Sequence, residues 1–146
     1  MSGPPDRQRS RVYAWENQIV VPRDPTTLPF SAAQGMVDAI WADMGLHYPP
    51  EVAPLPRQAT ATTARADRLS LFLPERTPSW CLLHELAHAM TTTADGRSDG
   101  HGSVFMGIYL QLLSRYLRLN PADLRQSLQA AAIGVAWNAR PVFVDA

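Results

Sequence analysis

The stretch that most constrains the fold of this chain is residues 80–88, which read Trp-Cys-Leu-Leu-His-Glu-Leu-Ala-His. It contains the pattern H-E-x-x-H, with His84 and His88 four positions apart. On a helix these positions share one face, so the two imidazoles can reach a single metal ion. Glu85 lies beside them and can accept a proton from an attacking water. Apolar residues occupy the other faces, which predicts a buried helix with one polar stripe.

A catalytic zinc site normally needs a third protein ligand. The chain has no glutamate after Glu85, which leaves His101, Asp95 and Asp99. His101 is favoured, because it opens the next predicted helix directly after the loop 93–100, where a tight reversal brings it back onto the first helix. Either aspartate is the alternative ligand. Otherwise we interpret Asp95 and Asp99 as acceptors that orient an imidazole N–H, or simply as turn residues.

The motif residues resemble those of a known family. His84 to Ala89, an acidic loop with glycine, and then Gly100-His101-Gly102-Ser103-Val104-Phe105 are similar to the pattern of the SprT-like (Spartan-type) zinc metallopeptidases. The chain is also similar to a small bacterial family of uncharacterised zinc metallohydrolases that carry an Arg-Val-Tyr-Ala-like segment, here residues 11–14. The resemblance implies a zincin-like domain, a short antiparallel sheet beside the metal helix, three histidine ligands, and Glu85 as general base.

Composition and charge exclude several classes. The 146 residues are 46% hydrophobic with a formal net charge of zero, which predicts one folded domain over 1–146 and no strong nucleic-acid binding. The single Cys81 cannot form an internal disulfide, and we interpret it as a small buried hydrophobe rather than a thiol ligand. No apolar run is long enough for a membrane helix. We therefore expect a soluble cytoplasmic protein whose residues 1–10 form a flexible tail.

Periodicity and turn residues predict an α+β fold with about four helices and a small antiparallel sheet. Four segments are expected to be helices: 32–44, 78–92, 102–119 and 121–133. Segment 8–21 also has helical spacing, although 19–21 could instead be a strand. Proline-rich residues 46–56 are expected to be an extended connection. Residues 57–64 and 67–73 are expected to form a hairpin. We expect 67–73 to be the free sheet edge that lines the substrate cleft, the alternative being a central, fully paired strand.

These features predict a zinc-dependent hydrolase that cleaves peptide bonds in a peptide or protein substrate. Two alternatives stay open, a small-molecule amide hydrolase and a non-enzymatic binding module stabilised by zinc. An open fourth metal position favours an enzyme, whereas a fourth protein ligand closes the site. Tyr109, on the helix after His101, is a candidate transition-state stabiliser, although its helical spacing is also typical of core packing.

Overall fold

The computed structural model describes residues 6–56 and 64–143, which form a mixed α+β fold. Its α-helices are α1 (Arg9–Trp15), α2 (Phe30–Asp43), α3 (Ser79–Met90), α4 (Ser103–Tyr116) and α5 (Pro121–Ala130). Its strands are β1 (Thr27–Pro29), β2 (Glu51–Pro54), β3 (Arg65–Ala66), β4 (Ser70–Leu73) and β5 (Arg76–Pro78). None of the helices in this part of the chain is both long and apolar enough to span a bilayer.

Helices α3 and α4 pack against each other at the centre of the core. The apolar residues that flank the H-E-x-x-H motif, Leu82, Leu83, Leu86 and Ala87, are buried as their pattern predicts. Leu71 and Leu73 of β4 are also buried in this core. The motif helix is therefore held by apolar contacts, which leaves its histidine stripe free to face a polar centre.

The first predicted helix is present but changes its winding. After α1 the chain continues as a π-helix (Glu16–Val20) and a short 3-10 helix (Val21–Arg23), so the strand alternative for 19–21 is wrong. The other predicted helices agree with the structure to within a few residues. Asn120 caps α5 as expected, since its side chain accepts hydrogen bonds from the N–H groups of Ala122 and Asp123.

The strand pairing differs from the prediction in two ways. β4 lies between β2, to which it is parallel, and β3, to which it is antiparallel, so it is a central strand and not a free edge. The segment 46–56, expected to be a connection, supplies β2. Pro54 stands at the end of β2, so Val52 and Ala53 keep the N–H groups that a strand interior needs. β1 and β5 form a separate antiparallel pair.

Two further predictions concern the hairpin over 57–64 and 67–73 and the tail over 1–10. An antiparallel hairpin is present, but its first strand is β3 (Arg65–Ala66) and not the predicted 57–64, of which only Ala64 is among the described residues and is not in a strand. The tail predicted over 1–10 is wrong for its second half, because Asp6 and Gln8 hydrogen-bond to His101 and α1 begins at Arg9. Residues 1–5 lie outside the described residues.

Gly107 on α4 is the point where the segment around Ala136 approaches the helix most closely. A Cβ at Gly107 would lie 2.1 Å from the carbonyl oxygen of Ala136 and 2.7 Å from the Cβ of Ala139. We expect Gly107→Ala to lower the free energy of unfolding by about 1–3 kcal/mol, because backbone would have to move. Gly35 on α2 has nothing within 4 Å, so Gly35→Ala is the matched control and should raise stability by about 0.5–1 kcal/mol. Urea unfolding measures both, and equal effects would contradict this packing.

Candidate metal centre

Three histidine side chains meet at one point. The Nε2 atom of His84 lies 3.2 Å from that of His88 and 3.3 Å from that of His101. Three ligands around a tetrahedral zinc ion, at the usual Zn–N distance, would stand about 3.3 Å apart. The ligand atoms of all three histidines lie within 4.8 Å of one another, so this group could hold one metal ion, and it is the one such group found among residues 6–56 and 64–143. The structure thus brings together the three residues that the sequence predicted as ligands.

The other ring nitrogen of two of these histidines is held by a carboxylate. His84 Nδ1 lies 2.5 Å from Glu16 Oε2, and His101 Nδ1 lies 2.6 Å from Asp6 Oδ2. The backbone N–H of His101 also donates to Asp6 Oδ2 at 3.1 Å. A carboxylate on Nδ1 keeps the proton there, so the lone pair of Nε2 points to the shared centre. This is the usual arrangement around metal-ligating histidines.

We did not predict from the sequence that Glu16 belongs to the site, although its position in the first helix indicates that it is buried. It lies four positions after Val12 and next to Trp15, so it stands on the apolar stripe of the first helix. It is 2% exposed, and a carboxylate in such a position needs polar partners. The Tyr109 hydroxyl supplies the second partner by donating to Glu16 Oε2 at 2.7 Å. Asp6 stands in a segment without periodicity and had no comparable signal.

Tyr109 is part of the core, as its helical spacing indicated. It is completely buried, and its hydroxyl donates to the oxygen of Glu16 that also binds Nδ1 of His84. Glu16 and Tyr109 lie on the Nδ1 side of the His84 ring, whereas the three Nε2 atoms meet on its other side. Tyr109 therefore does not face the candidate metal position. It supports a ligand, and the predicted role in stabilising a transition state does not fit this geometry.

Asp95 and Asp99 do not orient the imidazoles, so that interpretation is wrong. Asp99 caps α4, accepting the N–H of Val104 at 2.8 Å and that of Phe105 at 3.3 Å. Asp95 is exposed in the loop, where it pairs with Arg97 at 3.2 Å and with the Thr93 hydroxyl. Both are turn and capping residues, the plainer interpretation that the sequence allowed.

Glu85 is buried and lines a cavity of about 170 Å³ beside His84. Burial raises the pKa of Glu85 to about 7, an effect that His84 opposes and the charge of Glu16 reinforces. Among the described residues, no group donates a hydrogen bond to its carboxylate. A carboxyl group with such a pKa can both take up and release a proton near neutral pH.

Burial and neighbouring charges also set the protonation of the histidines. Burial lowers the pKa of His88, and the charges of His84 and His101 lower it further. Burial lowers the pKa of His101, which its hydrogen bond to Asp6 offsets only in part. Burial likewise lowers the pKa of His84, but the hydrogen bond and charge of Glu16 outweigh this and the pKa lies above its usual value. His88 and His101 are thus neutral at pH 7, which is the form that binds metal.

Cys81 lines the same cavity as Glu85. Burial raises its pKa to about 12, and the negative charges of Glu85 and Glu16 contribute in the same direction. It is also not part of the group of potential metal ligands formed by the three histidines. This agrees with its interpretation as a small apolar residue.

Glu16 is expected to set the metal affinity of the site through His84. We predict that Glu16→Gln weakens zinc binding by about 10–100-fold, because an amide does not hold the Nδ1 proton as a carboxylate does. Asp95→Asn removes a carboxylate from the exposed loop and is the matched control, with no expected change. Chelator competition gives both affinities, and unchanged binding in Glu16→Gln would contradict the assignment.

The variants His101→Ala and Asp99→Ala are expected to have different defects. His101→Ala removes a ligand and should reduce zinc affinity more than any change to a supporting carboxylate. Asp99→Ala removes the cap of α4 and should cost about 0.5–2 kcal/mol of folding stability, with a smaller effect on zinc. Chelator competition and urea unfolding, run on both variants, separate the two effects. A larger zinc defect in Asp99→Ala would mean that the aspartate is the ligand.

Comparison of the chain with protein-family models, with curated proteins and with solved structures gave no match.

Proposed function

We propose that this chain is a zinc-dependent hydrolase with a zincin-like active site, and that it cleaves peptide bonds. The observation that carries the proposal is the meeting of three Nε2 atoms at metal-ligand spacing beside the buried Glu85. Imidazole nitrogen is a preferred ligand of zinc, and sites with three protein ligands leave a fourth position for substrate or water.

The metal and the protein would supply different parts of the chemistry. A zinc ion at this site contributes Lewis acidity, which polarises the scissile carbonyl and makes water more acidic. Glu85 takes a proton from the attacking water while the water oxygen bonds to the carbonyl carbon. It then gives that proton to the leaving nitrogen as the C–N bond breaks. Its raised pKa suits both steps.

The rival function, a binding module stabilised by zinc, accounts less well for Glu85. Glu85 lines a cavity and receives no hydrogen bond from the described residues, and a purely structural site gains nothing from a carboxylate left unpaired there. Glu16 shows what a structural carboxylate looks like here, since it binds both His84 and Tyr109. The contrast favours an enzyme, because a proton acceptor has to keep its oxygens accessible to the reacting water.

One observation favours the alternative of a small-molecule amide substrate. β4 is paired on both sides over Leu71 and Phe72, so a peptide cannot add to it there as a further strand. The cavity at Glu85, about 170 Å³, has room for one side chain or a small acyl group. The reaction type is the same in both cases, and only the length of the substrate differs.

Glu85→Gln is the direct test of the proposed function. We expect hydrolysis to fall by about 10²–10⁴-fold, because the amide cannot accept the proton, while zinc stays bound at one ion per chain. Glu75→Gln, at an exposed position, is the matched control and should retain full activity. Zinc content and the turnover of a quenched fluorescent peptide library are the measurements.

Two outcomes would refute the proposed hydrolase function. One is unchanged turnover in Glu85→Gln, and the other is loss of zinc from that variant, which would make Glu85 a ligand. Assaying short acyl amides beside the peptides distinguishes the two substrate classes. Cleavage of acyl amides alone would favour the small-molecule alternative.

A further inference from the structure

We infer that Tyr13 is a catalytic residue that donates its phenol O–H to the carbonyl oxygen of the substrate. The inference rests on the proposed function and assigns the oxyanion-stabilising role within it. It gives a purpose to the Arg-Val-Tyr-Ala segment at 11–14, which the metal site alone does not explain.

The position of Tyr13 follows from the anchoring of α1. Tyr13 and Glu16 are three positions apart on a helical stretch, so their side chains share a face. Because Glu16 is bound to Nδ1 of His84, that face lies against the His84 ring. The Tyr13 ring lies 5.0 Å from the ring of His101 and 6.2 Å from that of His84, measured between centroids. It therefore stands beside two of the three ligands.

The exposure of Tyr13 and its place at the Glu85 cavity distinguish it from the other tyrosines. It lines the cavity that contains Glu85, and it is 39% exposed, whereas Tyr109 is fully buried. Among the described residues, the Tyr13 hydroxyl has no hydrogen-bond partner. The other tyrosines are excluded: Tyr109 donates to Glu16, Tyr116 donates to Asp43, and Tyr48 does not line this cavity.

The chemistry of the site calls for such a donor. As the water oxygen adds to the carbonyl carbon, the carbonyl π electrons move to oxygen and leave it negatively charged. The chain has no lysine, and no arginine is among the described residues that line the cavity. A neutral phenol can stabilise this charge by hydrogen bonding and keeps its proton throughout. The charge is lost again when the C–N bond breaks and Glu85 delivers its proton to nitrogen.

Tyr13→Phe removes the hydroxyl and keeps the ring that packs beside the histidines. We expect kcat to fall by about 10²–10³-fold, with a smaller change in KM and with zinc affinity unchanged. A phosphinic pseudopeptide, whose anionic oxygen mimics the charged intermediate, should bind the zinc-loaded variant about tenfold or more weakly by calorimetry. Tyr48→Phe, at an exposed position outside the cavity, is the matched control and should change neither quantity.

The possible outcomes test the role of Tyr13 separately from the hydrolase function on which it rests. If Glu85→Gln is inactive but Tyr13→Phe matches wild type in kcat and in phosphinate affinity, the Tyr13 role is refuted and the hydrolase function stands. If the zinc-loaded wild type neither cleaves any substrate nor binds the phosphinate, both are refuted. A loss of zinc in Tyr13→Phe would also overturn the inference, because the residue would then act on the metal site and not on the substrate.

Discussion

The hydrogen bond between Glu16 and His84 is the contact on which the centre of this molecule depends. It joins α3 to the π-helical turn that follows α1, and the Tyr109 hydroxyl on α4 completes it. The side chains of Glu16, His84 and Tyr109 are all buried, so each provides a hydrogen-bond partner that the others need. Without these partners, their polar atoms would lower the folding stability by kilocalories per mole. The contact orients a metal ligand and turns the face of Tyr13 to the same place. One buried carboxylate thus connects the packing of three segments to the chemistry of the site.

The charges around the histidines would favour a bound metal ion at this position. Asp6, Glu16 and Glu85 bring three carboxyl groups close to three imidazoles, of which burial keeps at least His88 and His101 neutral. A dication would balance this local negative charge more effectively than a proton on one imidazole. On the proposed function, metal binding is therefore coupled to folding, because the segment carrying Asp6 and Glu16 approaches the centre only in the folded chain.

The sequence predicted those parts of the protein that depend on local pattern. The H-E-x-x-H helix, the cap at Asn120 and the placement of His101 all follow from residues within a turn or a short loop of each other. What it missed depends on distant partners: Glu16 meets His84 across 68 positions and Asp6 meets His101 across 95. The parallel pairing of β2 with β4 is likewise non-local, and no periodicity specifies it. For Asp99 the sequence left two roles open, because capping and imidazole support use the same side chain, and the structure gives it the capping role.

Residue type alone does not assign roles in this site, because the fold places two residues of the same type in different surroundings. Glu16 receives hydrogen bonds from His84 and Tyr109, so it is fixed as a support, whereas Glu85 has no donor among the described residues and faces a cavity. The tyrosines divide in the same way, Tyr109 being buried with its hydroxyl engaged and Tyr13 exposed with its hydroxyl available. In each pair, the member whose polar atoms the fold leaves unpaired at the cavity is the one able to act on a substrate. The same criterion places both proposed catalytic groups, a proton acceptor and a hydrogen-bond donor, at the cavity beside His84.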